Sequence, residues 1–195
     1  ELDDKYKVNT YQKSKTIAEK AAWEFYANQP KGHKFEMTVV NPGGVMGPAL
    51  TEDIESASLD IFVQLLTGKM PGIPYFRIPM VDVRDVADHH LKAMEHPDAD
   101  GKRFISASAE PIDMMDLALT LKDNGFKVPT KRVPSFLLKL LSFIDPQAKA
   151  MTSLIDKAVG CDNQSTIKMF NWTPMSLNKT FIEMANSIQE KINKN

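Results

Sequence analysis

The chain has 195 residues, 43% of them hydrophobic and 25% charged, so it holds enough apolar mass to bury a core as one ordinary domain or a little more. Its formal net charge of −1, with no basic run, excludes a phosphate-gripping surface for nucleic acid or for an anionic membrane. A single cysteine, Cys161, excludes an internal disulfide framework and a thiolate metal cluster, and suits a reducing, cytoplasmic setting.

In chain order the sequence alternates helix-like and strand-like segments. The opening "ELDDKYKVNT" has no initiator methionine, apolar leader or cleavage pattern. Asn9 or Thr10 can cap a helix running to about Asn28, which Pro30 and Gly32 end. "KFEMTVVNP" reads as a strand with Val39 and Val40 at its buried end, stopped by Pro42 and Gly43. "SASLDIFVQLLTGK" places Leu59, Phe62, Val63 and Leu66 at helical spacing. "RIPMV" reads as one short strand, and Asp85 as the N-cap of "VADHHLKAME". "KRFISAS" is a further strand, and "PIDMMDLALTLKDNG" a helix opened by Pro111 and closed by Gly125. The last third reads as helical in "SFLLKLLSFI", "PQAKAMTSLIDKAV" and "SLNKTFIEMANSIQEKI". The first of these, the longest apolar run, carries Lys139 and is too short to span a bilayer. Strands alternating with helices predict an α/β fold with a parallel sheet, followed by a helical portion.

Tyr11 and Lys15, in "YQKSK", are the first residues with a chemical reading. Four apart on a helix, they share a face and can address one ligand. A phenol gives up its proton near pH 10 in water, and a neighbouring ammonium favours the phenolate. Such a tyrosine can hand a proton to a carbonyl oxygen. Alone, the pair reads first as a solvated helix face and only second as chemistry.

The context changes that reading. "YQKSKTIAEKAAWEF" resembles the active-site helix of the extended short-chain dehydrogenase/reductases, the epimerase/dehydratase superfamily, in the branch of dihydroflavonol, cinnamoyl-CoA and aldehyde or methylglyoxal reductases. "VVNPGGVMGP", "MVDVRDVADHHLKAMEHPDADGKRFISAS" and "DNQSTIKMFNWTPMSLNKTF" resemble later segments of that family, in the family's order. The resemblance implies Tyr11 as proton donor, with Lys15 tuning it and holding the cofactor ribose. It implies Pro42, Gly43, Gly44 and Val45 as a loop beneath the nicotinamide, and Ser58 as a residue reaching the cofactor diphosphate. Met46, directly after that loop, is the expected substrate contact. The implied cofactor is NADPH, with NADH as the alternative, and the implied substrate a small carbonyl compound reduced to an alcohol.

Other conspicuous residues take structural readings. His89 and His90 sit about 100° apart on a helix, cannot share a metal, and read as surface histidines. Asp82, Arg84 and Asp85 read as helix capping and a structural ion pair. Met114 and Met115 read as core filling, Met80 as core or pocket lining, and Trp23 and Trp172 as packing residues. The four arginines, Arg77, Arg84, Arg103 and Arg132, form no cluster in the sequence, which counts against a diphosphate-gripping epimerase.

No glycine-rich G-x-x-G-x-x-G or G-x-G-x-x-G turn occurs anywhere in the sequence. The expectation is therefore the C-terminal part of a Rossmann-like doubly wound parallel sheet with a small helical substrate-binding portion, lacking the N-terminal dinucleotide-binding βαβ units. Residues 1–50 would be the nucleotide-side remnant and residues 51–195 the substrate-binding portion, with 80–108 packing back on the sheet. Alone, such a chain would be inactive and would need an N-terminal half or a second copy to cover its sheet. The alternatives are a nucleotide-sugar epimerase or dehydratase of the same superfamily, and a non-catalytic binding or regulatory relative.

Overall fold

The computed structural model describes residues 10–30, 32, 34–51, 56–141, 143 and 156–194. The proposed Asn9 cap and most of the expected helix in 146–159 lie outside those residues. The described elements run α1 (Thr10–Ala27), β1 (Val39–Pro42), β2 (Gly44–Met46), α2 (Ala57–Leu66), β3 (Arg77–Ile78), β4 (Met80–Asp82) and α3 (Val83–Glu95). After these come β5 (Arg103–Ser106), β6 (Ile112–Asp113), α4 (Met114–Asp123), α5 (Ser135–Leu141), α6 (Gln164–Phe170) and α7 (Leu177–Ile192). None of the described helices is long and apolar enough to cross a membrane.

The α/β expectation holds. β1 pairs in parallel with β5, β2 in parallel with β4, and β3 antiparallel with β6. β1 and β2 form one extended path that changes partner at Gly43. The Gly43 N–H donates to Ser106 O at 3.1 Å, whereas the Gly44 N–H donates to Pro79 O at 2.9 Å. β4 thus enters between β2 and the chain leaving β5, which it meets through Ser108 N–H to Met80 O at 2.8 Å. This crossing explains the glycine: a Cβ on Gly43 would stand 2.5 Å from Pro79 O and 2.8 Å from the Ala107 Cβ. The expected loop at 42–45 is therefore mostly strand. The expected "RIPMV" strand is two, because Pro79 has no N–H to continue the ladder.

Two apolar clusters carry the fold. The larger joins Phe62 and Leu65 of α2, Leu117 and Leu121 of α4, and Phe181 and Ile188 of α7. The smaller joins Val81, Phe104, Phe170 and Trp172 beneath α3, so Trp172 packs as expected. Met114 is buried in the larger cluster and Met115 packs against it.

Three expectations give way. The N-cap of α3 is Asp82, not Asp85: its carboxylate accepts from Arg84 N at 2.8 Å, so the helix starts directly where β4 ends. Asp85 instead accepts from Met175 N at 2.9 Å. α4 is capped by Asp113 through Met115 N at 2.8 Å, not opened by Pro111. His89 is not a surface residue but 0% exposed, with Nδ1 2.7 Å from Ser106 Oγ and its ring against Phe170 and Trp172. The angular offset that separates the two histidines turns His89 inward and leaves His90 exposed.

α1 is held by a single stripe. Thr16, Glu19, Trp23 and Tyr26 are half-buried at helical spacing, and no residue of α1 is fully buried. Glu19 Oε1 accepts from Arg103 Nε at 2.7 Å, and Tyr26 Oη donates to Asp100 at 2.9 Å. The outer edge of β5 is guarded by side chains: Asn163 Nδ2 donates to Ala107 O and Thr166 Oγ1 to Ile105 O, both at 2.8 Å, and Cys161 Sγ to Ser108 O at 3.2 Å. Among the described residues β1 has a strand partner on one side only.

Candidate active site

The first element of the site is the Tyr11–Lys15 pair on the opening turns of α1. Helical spacing brings the Lys15 ammonium to 5.6 Å from the centroid of the Tyr11 ring. Tyr11 is 68% exposed. Among the described residues its hydroxyl has no hydrogen-bond partner, and Ser14 Oγ bonds back to Tyr11 O at 2.8 Å, pointing away from the pair's chemistry.

The second element is an open cavity of about 440 Å³ at the end of β2. Its walls are Val45 and Met46 of β2, residues 47–51, Ser56 and Ser58 at the start of α2, Val83 of α3 and Met184 of α7. Ser56 caps α2 by accepting from Leu59 N at 3.3 Å, which sets Ser58 in the first turn of that helix. None of the described lining residues is charged. Gly47 is needed where it stands: its φ is +155°, and a Cβ there would run into the Val83 side chain.

The cavity rests on a buried ionic joint. Asp82 takes Arg84 Nε at 2.8 Å, Arg84 Nη2 at 2.6 Å and Thr180 Oγ1 at 2.6 Å, and Arg84 also pairs with Glu183 at 2.7 Å. Burial alone would push the Asp82 carboxyl up. The hydrogen bonds from Arg84 and Thr180 outweigh that and hold it below the usual carboxylate range. The joint fixes α7 against β4 and α3, the helix capping and ion pair that the sequence suggested for Asp82 and Arg84.

Two of the four arginines, Arg77 and Arg132, meet in space, although the sequence scatters them. Arg132 Nη2 reaches both Asp113 oxygens at 2.7 and 2.8 Å, Arg77 Nε reaches Oδ2 at 3.2 Å, and the Tyr75 ring lies 4.9 and 5.7 Å from the two guanidiniums. Burial works against the Asp113 carboxylate, but hydrogen bonds from Met115 N, Arg132 and Arg77 lower its pKa below the ordinary value. Both guanidiniums are thus engaged by a protein carboxylate.

The structure brings together Tyr11 with Lys15, and separately Val45, Met46 and Ser58. Among the described residues no hydrogen bond or ring contact joins the two groups. Pro42 and Gly43 lie at the strand crossing, where Gly43 meets Pro79 and Ala107. Met184 and Ser187 were not anticipated. Their only sequence signal is an i, i+3 step along the last helix, beyond the stretch that carries the family resemblance.

No family model matches the chain. An uncharacterized oxidoreductase of Saccharomyces cerevisiae is 28% identical over 194 residues, covering 96% of this chain and 52% of that protein. The NADPH-dependent methylglyoxal reductase of the same yeast is 36% identical over 132 residues, 65% of this chain and 38% of that protein. The crystal structure of a yeast methylglyoxal/isovaleraldehyde reductase complexed with NADPH superposes with a TM-score of 0.67 at 26% identity, covering 92% of this chain and 55% of that one. The chain spans about half the length of the relatives it matches. Fold and similarity together relate it to the extended short-chain dehydrogenase/reductases, the class its motifs resemble. Within that class its similarity runs to the aldehyde and cinnamoyl-CoA reductase branch.

Proposed function

We propose that the chain is the substrate-holding half of an NADPH-dependent carbonyl reductase, in which Tyr11 protonates the carbonyl oxygen of a small aldehyde or ketone. The observation that carries this reading is the Tyr11–Lys15 pair, exposed and adjacent on one helix face, in a chain similar to named NADPH-dependent reductases.

NADPH, when bound, supplies the hydride that reaches the carbonyl carbon. The Tyr11 phenol delivers its proton to the oxygen as negative charge develops there, and Lys15 stabilises the phenolate left behind. The same ammonium is free to hold the ribose hydroxyls. Val45 and Ser58 reach the cavity, which supports placing the nicotinamide side of the cofactor and the substrate there, with Met46 against the substrate. Gly43 has no room for a side chain on the face that meets Pro79 and Ala107, so any part it takes in the cofactor loop is through its backbone. The residues present therefore suit the nicotinamide-riboside end of the cofactor, and the sequence offers no glycine-rich turn for the diphosphate.

In this reading residues 1–50 carry the nucleotide side and 51–195 the substrate side, with 80–108 returning to the sheet through β4 and β5. A nucleotide-binding half, or a second copy, covers the open edge of β1, because β5 already has its guard from 161–166. A nucleotide-sugar substrate is less well served, since the paired guanidiniums of Arg77 and Arg132 are taken by Asp113.

The test joins this chain to the glycine-rich N-terminal half of a matched reductase and follows NADPH oxidation with small aldehydes. Turnover is expected in the joined protein and none in the chain alone. Tyr11→Phe should lower kcat/KM by about 10²–10⁴, the range for a lost proton donor. A joined enzyme that keeps its rate with Phe at position 11 overturns the assignment.

A further inference from the structure

One wall of the cavity is held from outside by the C-terminal helix. The Gly47 N–H donates to Met184 Sδ at 3.3 Å, and the Ala49 N–H donates to Ser187 Oγ at 2.9 Å. The Ser187 hydroxyl proton is committed to Met184 O at 2.8 Å, which leaves the oxygen lone pairs for Ala49. Met184 is 1% exposed and lines the cavity as well as anchoring it. Thr180, Met184 and Ser187 follow one face of α7 at i, i+4 and i+7. The Thr180 end of that face is pinned to Asp82. The wall at 47–51 is therefore placed by a rigid element that the β4–α3 junction holds in register.

We infer that Met184 and Ser187 are positioning residues for this wall, and that the site they shape admits a neutral carbonyl compound and rejects its carboxylate counterpart. The selectivity follows from the lining. Ser56 and Ser58 supply hydroxyls, Met46, Leu59, Val83 and Met184 supply apolar surface, and none of the described lining residues offers a cation. A carboxylate placed there would lose its hydration with no charge to replace it. The carbonyl part rests on the reductase reading; the positioning part needs only the two backbone hydrogen bonds.

The experiment is methionine-methyl NMR on this chain, without nucleotide, titrated with 2-pentanone and separately with 2-oxopentanoate. The expected result is a saturable shift of the Met46 and Met184 methyl signals with 2-pentanone and none with 2-oxopentanoate at the same concentration. Ser187→Ala should weaken 2-pentanone about fivefold, the cost of one backbone hydrogen bond, while Ser187→Thr, which keeps the hydroxyl, retains parent affinity. Melting temperatures of the variants separate this from loss of fold. Should Ser187→Ala fail to fold, Met184→Leu keeps the volume, removes the sulfur acceptor, and is read from the Met46 methyl with the same expected weakening. The inference is overturned if the parent chain shows no saturable shift, if 2-oxopentanoate binds equally, or if the variant that folds binds with parent affinity. Because no turnover is read, this result and the Tyr11→Phe result can fail independently.

Discussion

His89 gives the fold a built-in sensitivity to acid. Its ring is fully buried, stacked at 5.5 Å on Phe170 and edge-on at 4.6 Å to Trp172. Nδ1 is shared with Ser106, and the buried Nε2 has no hydrogen-bond partner among the described residues. Protonation would place a cation in that clamp. Burial accordingly lowers the pKa below the ordinary histidine value; Asp85 and Asp88 oppose the shift, while Lys92 and His90 add to it. A base with a depressed folded pKa keeps its full stabilising effect above the unfolded value, about 6.5, and loses it as pH falls toward the folded value.

The size of the effect follows from linkage. If the folded state takes up no proton, the unfolded state gains at most about 1.3 kcal/mol between pH 7 and pH 5.5 from this one group. Asp82, Asp100 and Asp113 all have lowered carboxyl pKa values, so they titrate below this window. The assay is urea unfolding by circular dichroism at half-unit pH steps, on the parent chain and on His89→Phe, which keeps a ring in the clamp. The parent should lose up to about 1.3 kcal/mol across the window and the variant distinctly less, whatever its absolute stability. An equal pH slope in the two proteins would refute the reasoning, as would a parent curve that is flat from pH 7 to 5.5.

Two further pairs of substitutions test the scaffold. Asp82→Ala strips four donor groups of their buried acceptor and leaves Arg84 with Glu183 alone, so it should cost about 3 kcal/mol in urea melts, and Arg84→Met should cost a similar amount because it leaves the buried Asp82 carboxylate without its cation. Gly43→Ala should destabilise by about 1–3 kcal/mol, since the new methyl meets backbone at Pro79, while Gly68→Ala, with nothing within 4 Å and a φ of +71°, should cost about 1 kcal/mol through backbone strain alone. Equal losses at the two glycines would mean that the strand crossing is looser than the geometry states.

The sequence made local features legible and left convergent ones hidden. The helix around Tyr11, the strand ending at Pro42 and the α2 helix each follow from a spacing or a stop signal within one segment. In sequence Asp85 reads as the cap because it precedes an amphipathic run. Asp82 is the cap because β4 delivers it with an extended backbone, φ −72° and ψ 139°, straight into the helix. His89 was misplaced for a related reason. A histidine pair on a polar-looking helix gives no sign of which face is covered until Phe170 and Trp172 arrive from the far end of the chain. The Arg77–Asp113–Arg132 cluster and the cavity share that property: their members come from separate elements, and only packing brings them to one place.

The two edges of the main strand pair also differ in kind, and the difference bears on how the proposed enzyme would assemble. An unpaired edge exposes backbone donors and acceptors that must find partners or water. At β5 the Ile105 carbonyl is taken by Thr166, and in the chain leaving the strand those of Ala107 and Ser108 are taken by Asn163 and Cys161, so a further strand would have to displace side chains already bonded there. At β1, described residues bond on the β5 side only. α1, tied to Arg103 and Asp100, carries Tyr11, Ile17 and Phe25 exposed on the surface its stripe does not use. An added strand therefore meets the lower barrier at β1. Docking there would extend the sheet, so a β1 edge protected from exchange is the outcome expected beside restored turnover in the joining experiment.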